Sequence, residues 1–165
     1  MECWFGKDGR LRGTDHSDFW RVSSEGQFFL IRGFQEDASD WQFSDPGCSF
    51  IFTFPVIRIA EILLYISSVS KVFGCEGRNI DCLFQWVGLQ GRELAKLPES
   101  AAYISPDRVA KQDVYNIRLS LSSEKIDLDI DECVYDIVAG LLRIFDLFDL
   151  PRITASNQLD KFLNR

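Results

Sequence analysis

Histidine is almost missing from this chain of 165 residues: there is one, His16. A Ser-His-Asp or Cys-His nucleophilic site could run only through that residue, and it would need a nucleophile or base placed beside it. The five cysteines, Cys3, Cys48, Cys75, Cys82 and Cys133, are odd in number, and none stands in a C-x-x-C pair. With a single histidine beside them, they offer no zinc site of ordinary ligand spacing. Reduced, mostly buried thiols in a cytosol are the simplest reading. There is no Walker-type G-x-x-x-x-G-K and no G-x-G-x-x-G between a strand and a helix. No N-terminal run has the form of a signal peptide. The apolar stretch at residues 55–73 is broken by Arg58, Glu61 and Lys71, which argues against a membrane span. Basic charge is in deficit: 18 Lys and Arg stand against 25 Asp and Glu, a net of −7. That balance repels a phosphate backbone, so the chain alone is expected to make no direct contact with nucleic acid. The expectations are a cytoplasmic protein with no cofactor, no metal and no membrane contact.

What is present is apolar and aromatic. Hydrophobic residues make up 46% of the chain, with fourteen Phe and four Trp, which excludes a disordered chain and supplies a core. The length suits one domain. Residues 1–16, with Gly6, Gly9 and Gly13, read as a flexible arm or an upstream remnant, and residues 17–165 as a single α+β domain.

Residues 55–73 are the segment around which that domain is organised. Ile59, Ile62, Leu63, Ile66, Val69 and Phe73 fall on one helix face, and Arg58, Glu61, Tyr65 and Ser68 on the other. Pro55 suits the first turn and Gly74 the exit. Burial is expected for Ile59, Leu63, Ile66 and Phe73. Residues 19–34 hold two β-rich runs around Ser24-Glu25-Gly26, the spacing of a hairpin with a glycine turn. Phe28, Phe29, Leu30 and Ile31 are consecutive, so both faces of that run are expected to be covered.

Asp45-Pro46-Gly47 is a turn signal. The alternation of Cys48, Phe50, Phe52 and Phe54 predicts a strand leading into the core helix. Residues 79–87 and 113–122 predict two more strands, with residues 96–111 mostly a loop. Asp129 and Glu132 form a capping box for a second long helix, with Val134, Ile137, Val138, Leu141, Phe145 and Phe148 as its apolar face. Pro151 stops it, and Thr154 caps a last short helix. The pattern predicts an antiparallel or mixed sheet of about five strands, covered mainly on one face by two long helices, plus a short C-terminal helix.

Acids are dense from residue 124 to 149, where the net charge is −6. Such groups can bind metal or run glycoside hydrolysis. Asp127, Asp129, Asp131 and Glu132 instead gather where a helix begins, which the helix dipole favours, and EF-hand spacing is absent. Gly88-Leu-Gln-Gly91 has the outline of a KH clamp loop, but that loop joins two helices and favours basic residues, whereas this one follows a strand. Two polar islands stand in apolar surroundings, Arg32-Gly-Phe-Gln-Glu-Asp37 and Trp86-Val-Gly-Leu-Gln-Gly-Arg92. An arginine beside glycine and an aromatic can make a forked contact to an anion or carboxylate, or close a structural salt bridge. The candidate partner or anion site is therefore Arg32, Gln35, Glu36, Asp37, Trp86, Gly88, Gly91 and Arg92. No catalytic, cofactor or metal residue is assigned.

The same islands, taken in order with Phe54-Pro-Val-Ile-Arg-Ile-Ala-Glu-Ile-Leu64 and Phe145-Asp-Leu-Phe-Asp-Leu-Pro151, carry a resemblance. Over about residues 19–163 the chain resembles the C-terminal accessory region of bacterial proteins that carry a Schlafen-type AlbA domain, described as DNA-binding. The AlbA portion itself has no counterpart here, so its chemistry does not transfer. The resemblance implies a non-catalytic regulatory or partner-binding domain beside such a protein, linked to defence or transcription regulation, with a protein partner or a homo-oligomer. The alternatives are an enzyme domain or subunit acting on nucleotides or nucleic acid, with Arg32 and Arg92 at its anion site, and a small-ligand sensor.

Overall fold

The computed structural model describes residues 18–38, 44–97, 104–105, 107–147 and 151–163. The arm expected at residues 1–16, with Cys3 and His16, lies outside them, as does Phe148. The fold is mixed α and β, and the chain groups into two compact units, Met1–Ser49 and Phe50–Arg165.

The first unit opens on strands β1 (Asp18–Val22) and β2 (Phe28–Arg32), paired antiparallel. Gly26, at φ +76°, turns the chain between them. Ser23 tightens that turn: its amide donates to the Gln27 carbonyl at 2.9 Å, and its Oγ accepts from the Glu25 and Gln27 amides at 3.2 Å each. A left-handed residue closing a three-residue loop matches the twist of the flanking strands, and glycine adopts it without strain. A 3-10 turn follows at Gln35–Asp37. The Asp37 carboxylate accepts from the Gly47 amide at 2.7 Å and ties down the Asp45-Pro46-Gly47 turn.

The second unit is built on helix α1 (Thr53–Val72), which follows the short strand β3 (Ser49–Ile51) almost directly. The strand expected to run to Phe54 therefore ends three residues early. Pro55 falls at the third helical position, where an N–H would have no intrahelical partner anyway. Buried positions on α1 are Val56, Ile59, Ala60, Leu63, Ser67 and Ser70, the spacing of one face. That stripe is rotated from the one hydropathy suggests. Ile66 is half-buried, and Phe73, expected in the core, is 70% exposed beyond the helix end.

Strand β4 (Asn79–Val87) pairs antiparallel with β6 (Val114–Ser122) along all nine residues of each. Between them Gly88 and Gly91, at φ +80° and +84°, turn the chain out of the β4 ladder into β5 (Glu93–Ala95), which pairs with β3. Among the described residues each sheet has two strands, and the expected sheet of about five is not formed there.

Helices α2 (Ser123–Leu128), α3 (Ile130–Leu142) and α4 (Arg152–Leu163) complete the unit. Helix α2 is absent from the sequence reading. Ser122 caps it, accepting from the Lys125 amide at 3.2 Å. The capping box expected at Asp129 does not form: that carboxylate instead takes the Lys125 ammonium at 2.7 Å. Helix α4 begins before Thr154, whose amide donates to the Pro151 carbonyl. By length and composition alone α1 could cross a membrane, but here it packs against α2, α3 and α4. The core holds Phe50 stacked on Phe145 with ring centroids 5.1 Å apart, together with Ile59, Leu63, Ile126, Ile137, Leu141 and Leu159. Of the four described cysteines, all free, only Cys133 is fully buried, and Cys48 is exposed on its turn, so the thiols are not mostly buried as expected.

Candidate functional site

The eight candidate residues separate by unit. Arg32, Gln35, Glu36 and Asp37 belong to the first, and Trp86, Gly88, Gly91 and Arg92 to the second. In the first unit Arg32 ends β2 and is half-buried, while Glu36 on the 3-10 turn is only 2% exposed. In the second, Trp86 lies on the inner row of β4 between Phe84 and Tyr115, at centroid distances of 6.3 and 6.0 Å.

The loop after Trp86 is stapled to its own chain. The Leu89 amide donates to the Asp113 carbonyl, Gly91 to Ala110 and Arg92 to Leu89, each at 3.0 Å. Arg92 is 5% exposed, and its Nε donates to the Gly88 carbonyl at 2.7 Å. A phosphate clamp needs backbone amides that point at the ligand. Three amides of this loop are already engaged internally. Its glycines serve their positive φ: a Cβ at Gly88 or Gly91 would meet nothing within 4 Å.

The hairpin behaves differently. Its register places Phe19 opposite Ile31 and Arg21 opposite Phe29 on one face, with Trp20 opposite Leu30 and Val22 opposite Phe28 on the other. The rings of Phe19 and Phe29 meet edge to face at 6.3 Å. Phe19, Trp20, Val22, Phe28, Phe29, Leu30 and Ile31 are all exposed, from 39% for Leu30 to 55% for Ile31. The expectation that both faces would be covered is not met among the described residues. Single exposed apolar residues are ordinary, but seven on two short strands are a surface that wants burial.

The ladder also fixes an edge. The Ser23–Gln27 pair is hydrogen-bonded, so by alternation the backbone groups of Trp20 and Val22 point away from β2. Among the described residues β1 pairs with β2 alone. An extended segment could add there through main-chain hydrogen bonds.

Several contacts were not legible beforehand. Tyr115 lies over the backbone of α3 at Gly140, where a Cβ would collide with its hydroxyl. Burial pushes that phenol above its ordinary value. The Ser67 hydroxyl, 1% exposed, donates to Asp127 at 2.6 Å, and Lys71 bridges the same carboxylate at 2.6 Å. Lys71, and after it Ser67, hold the Asp127 carboxyl below its ordinary value. Among the described residues no three His, Cys, Asp or Glu side chains gather as metal ligands. Comparison with family models, with curated proteins and with solved structures finds no match for this chain.

Proposed function

We propose that the chain is a non-catalytic, partner-binding accessory domain whose docking element is the β1–β2 hairpin. The observation that carries this reading is the exposure of large apolar side chains on both hairpin faces. A two-stranded hairpin is marginal in water unless further strands or a packing surface support it. A protein partner, or a second copy, would lay a strand along β1 and cover the faces. The setting we propose, the bacterial cytoplasm beside a protein of the AlbA/Schlafen type in defence or transcription regulation, rests on the four-segment resemblance.

Site-specific photocrosslinking tests the docking element. A benzoylphenylalanine at Phe29 should give one discrete protein adduct in native cytosol. The same probe at Leu83, 53% exposed on the second unit, should give none. Equal smears from the two positions would end this reading. We also propose that the chain alone does not bind nucleic acid, supported by its charge of −7 and the engaged amides of the 88–92 loop. Submicromolar, salt-sensitive binding to a random duplex in fluorescence anisotropy would reverse that.

A further inference from the structure

Strand β6 turns Leu119 and Leu121 toward α3, yet both stay half-buried. Helix α3 covers that row incompletely and leaves a cleft of about 400 Å³. Its floor is those two leucines with Ile137 and the Cys133 thiol of α3. The volume falls within the range of small-molecule sites, which pair apolar walls with a few placed polar groups.

The mouth carries Lys125, Glu132 and Asp136. Two of these are already engaged. Lys125 is held by Asp129 at 2.7 Å, and Glu132 grips the Arg152 guanidinium with both oxygens. Asp136 is exposed and, among the described residues, makes no direct ion pair, although Arg152, held by Glu132, is close enough to feel its charge. The charge the mouth leaves for a ligand is therefore negative. The Cys133 thiol senses the same field. Burial pushes it up from its ordinary value, and Asp129, Asp136 and Glu132 push the same way against Lys125.

We propose that this cleft binds a small amphiphile with an unbranched apolar body and one cationic group, the body lying on Leu119, Leu121 and Ile137 and the cation at Asp136. An anionic head of the same shape would face the Asp136 carboxylate. A body longer than the cleft would run into water. The site lies in the second unit and is independent of the hairpin.

Calorimetric titration of the whole chain with n-alkylammonium chlorides from butyl to decyl, below their micelle thresholds, tests it. Affinity should rise about four-fold per added methylene until the cleft is full, then level off. Alkyl sulfates of equal length should bind about five-fold weaker or worse. Asp136→Asn, an exposed and fold-neutral change, should bring ammonium and sulfate to near parity. Leu119→Trp should fill the floor and remove binding, with circular dichroism confirming that the variant is folded; if it is not, the Asp136→Asn comparison decides. No saturable binding, equal affinity for sulfates, a rise without a plateau, or an unchanged Asp136→Asn would each overturn the proposal.

Discussion

Two antiparallel ribbons in this molecule share a backbone geometry and differ in what their side chains ask for. In β4–β6 the rows alternate. Ile80, Cys82, Phe84 and Trp86 lie opposite Leu121, Leu119, Ile117 and Tyr115 on one face, while Asn79, Asp81, Leu83, Gln85 and Val87 lie opposite Ser122, Ser120, Arg118, Asn116 and Val114 on the other. The second row is polar at seven of its ten positions, which suits water, and helices α2 and α3 pack against β6 on the apolar face. In β1–β2 neither row is mainly polar: large apolar side chains make up three of four positions on one face (Phe19, Phe29 and Ile31, with Arg21) and four of six on the other (Trp20, Val22, Phe28 and Leu30, with Asp18 and Arg32). The first ribbon has its apolar face covered by its own helices except at the cleft over Leu119 and Leu121. The second carries the pattern of a strand pair covered on both sides, yet its seven large apolar side chains stay 39–55% exposed. The lesson is that alternation encodes how many faces need covering, and exposure shows whether the chain itself supplies the cover.

The sharpest way to break this comparison is to cut one phenylalanine from each ribbon. Phe84 is 8% exposed. Phe84→Ala should cost about 3–5 kcal/mol in urea unfolding, the usual range for a buried ring. Phe29, 53% exposed, should behave as a surface position, with Phe29→Ala changing stability by about 0.5 kcal/mol or less. Equal losses would mean that the hairpin is covered in solution and the contrast is wrong.

The covered ribbon can be sharpened further at Gly140. Helix propensity alone would make Gly140→Ala a gain of about 1 kcal/mol. The new methyl would instead collide with the Tyr115 hydroxyl, so a loss of about 1–3 kcal/mol is expected, as for other overpacked sites. Tyr115→Phe removes the obstructing oxygen, and the double variant should be more stable than Gly140→Ala alone. A double variant no better than the single one would show that α3 and β6 do not approach as closely as described.

Much of this second unit was legible because period and punctuation agree there. Residues 79–87 alternate and end at a glycine, and the strand is found at those bounds. Helix α1 was legible in extent but not in rotation. Hydropathy places Phe73 and Ile66 inward, yet the packed face takes Ser67 and Ser70, because small residues let a neighbouring helix come close. Helix α2 was invisible since six residues are too few to show a period. Asp129 looked like a cap by spacing, but Lys125, four residues earlier, takes its carboxylate. Of the candidate site, Arg92 was identified as a polar residue in apolar surroundings, and one of its partners, the carbonyl of Gly88, is a backbone group that no side-chain pattern reveals. The hairpin was legible as a hairpin. That its faces are open was not, because an apolar run records a need for cover and not its source.

The smallest expected effect concerns what holds the cover over the covered ribbon. Helix α2 follows β6 without a break and is pinned to α1 by Asp127, which takes the Ser67 hydroxyl on one oxygen and the Lys71 ammonium on the other. Both contacts favour the ionised carboxyl, and its folded value lies below the ordinary 3.8. A depressed carboxyl contributes stability that is present above its unfolded value and is lost as pH falls through the folded one. Asp127→Asn keeps an acceptor for Ser67 and removes only the charge. The wild-type chain should therefore melt above Asp127→Asn at pH 7, and the gap should close as pH drops below 3.8. Because the pair is exposed, the gap should be smaller than any of the effects above and should shrink in high salt. Lys71→Met should reproduce the same pH dependence. A gap that persisted unchanged to the acid end would mean that the substitution acts through something other than charge, and that the Lys71 contact contributes nothing to holding α2 on α1.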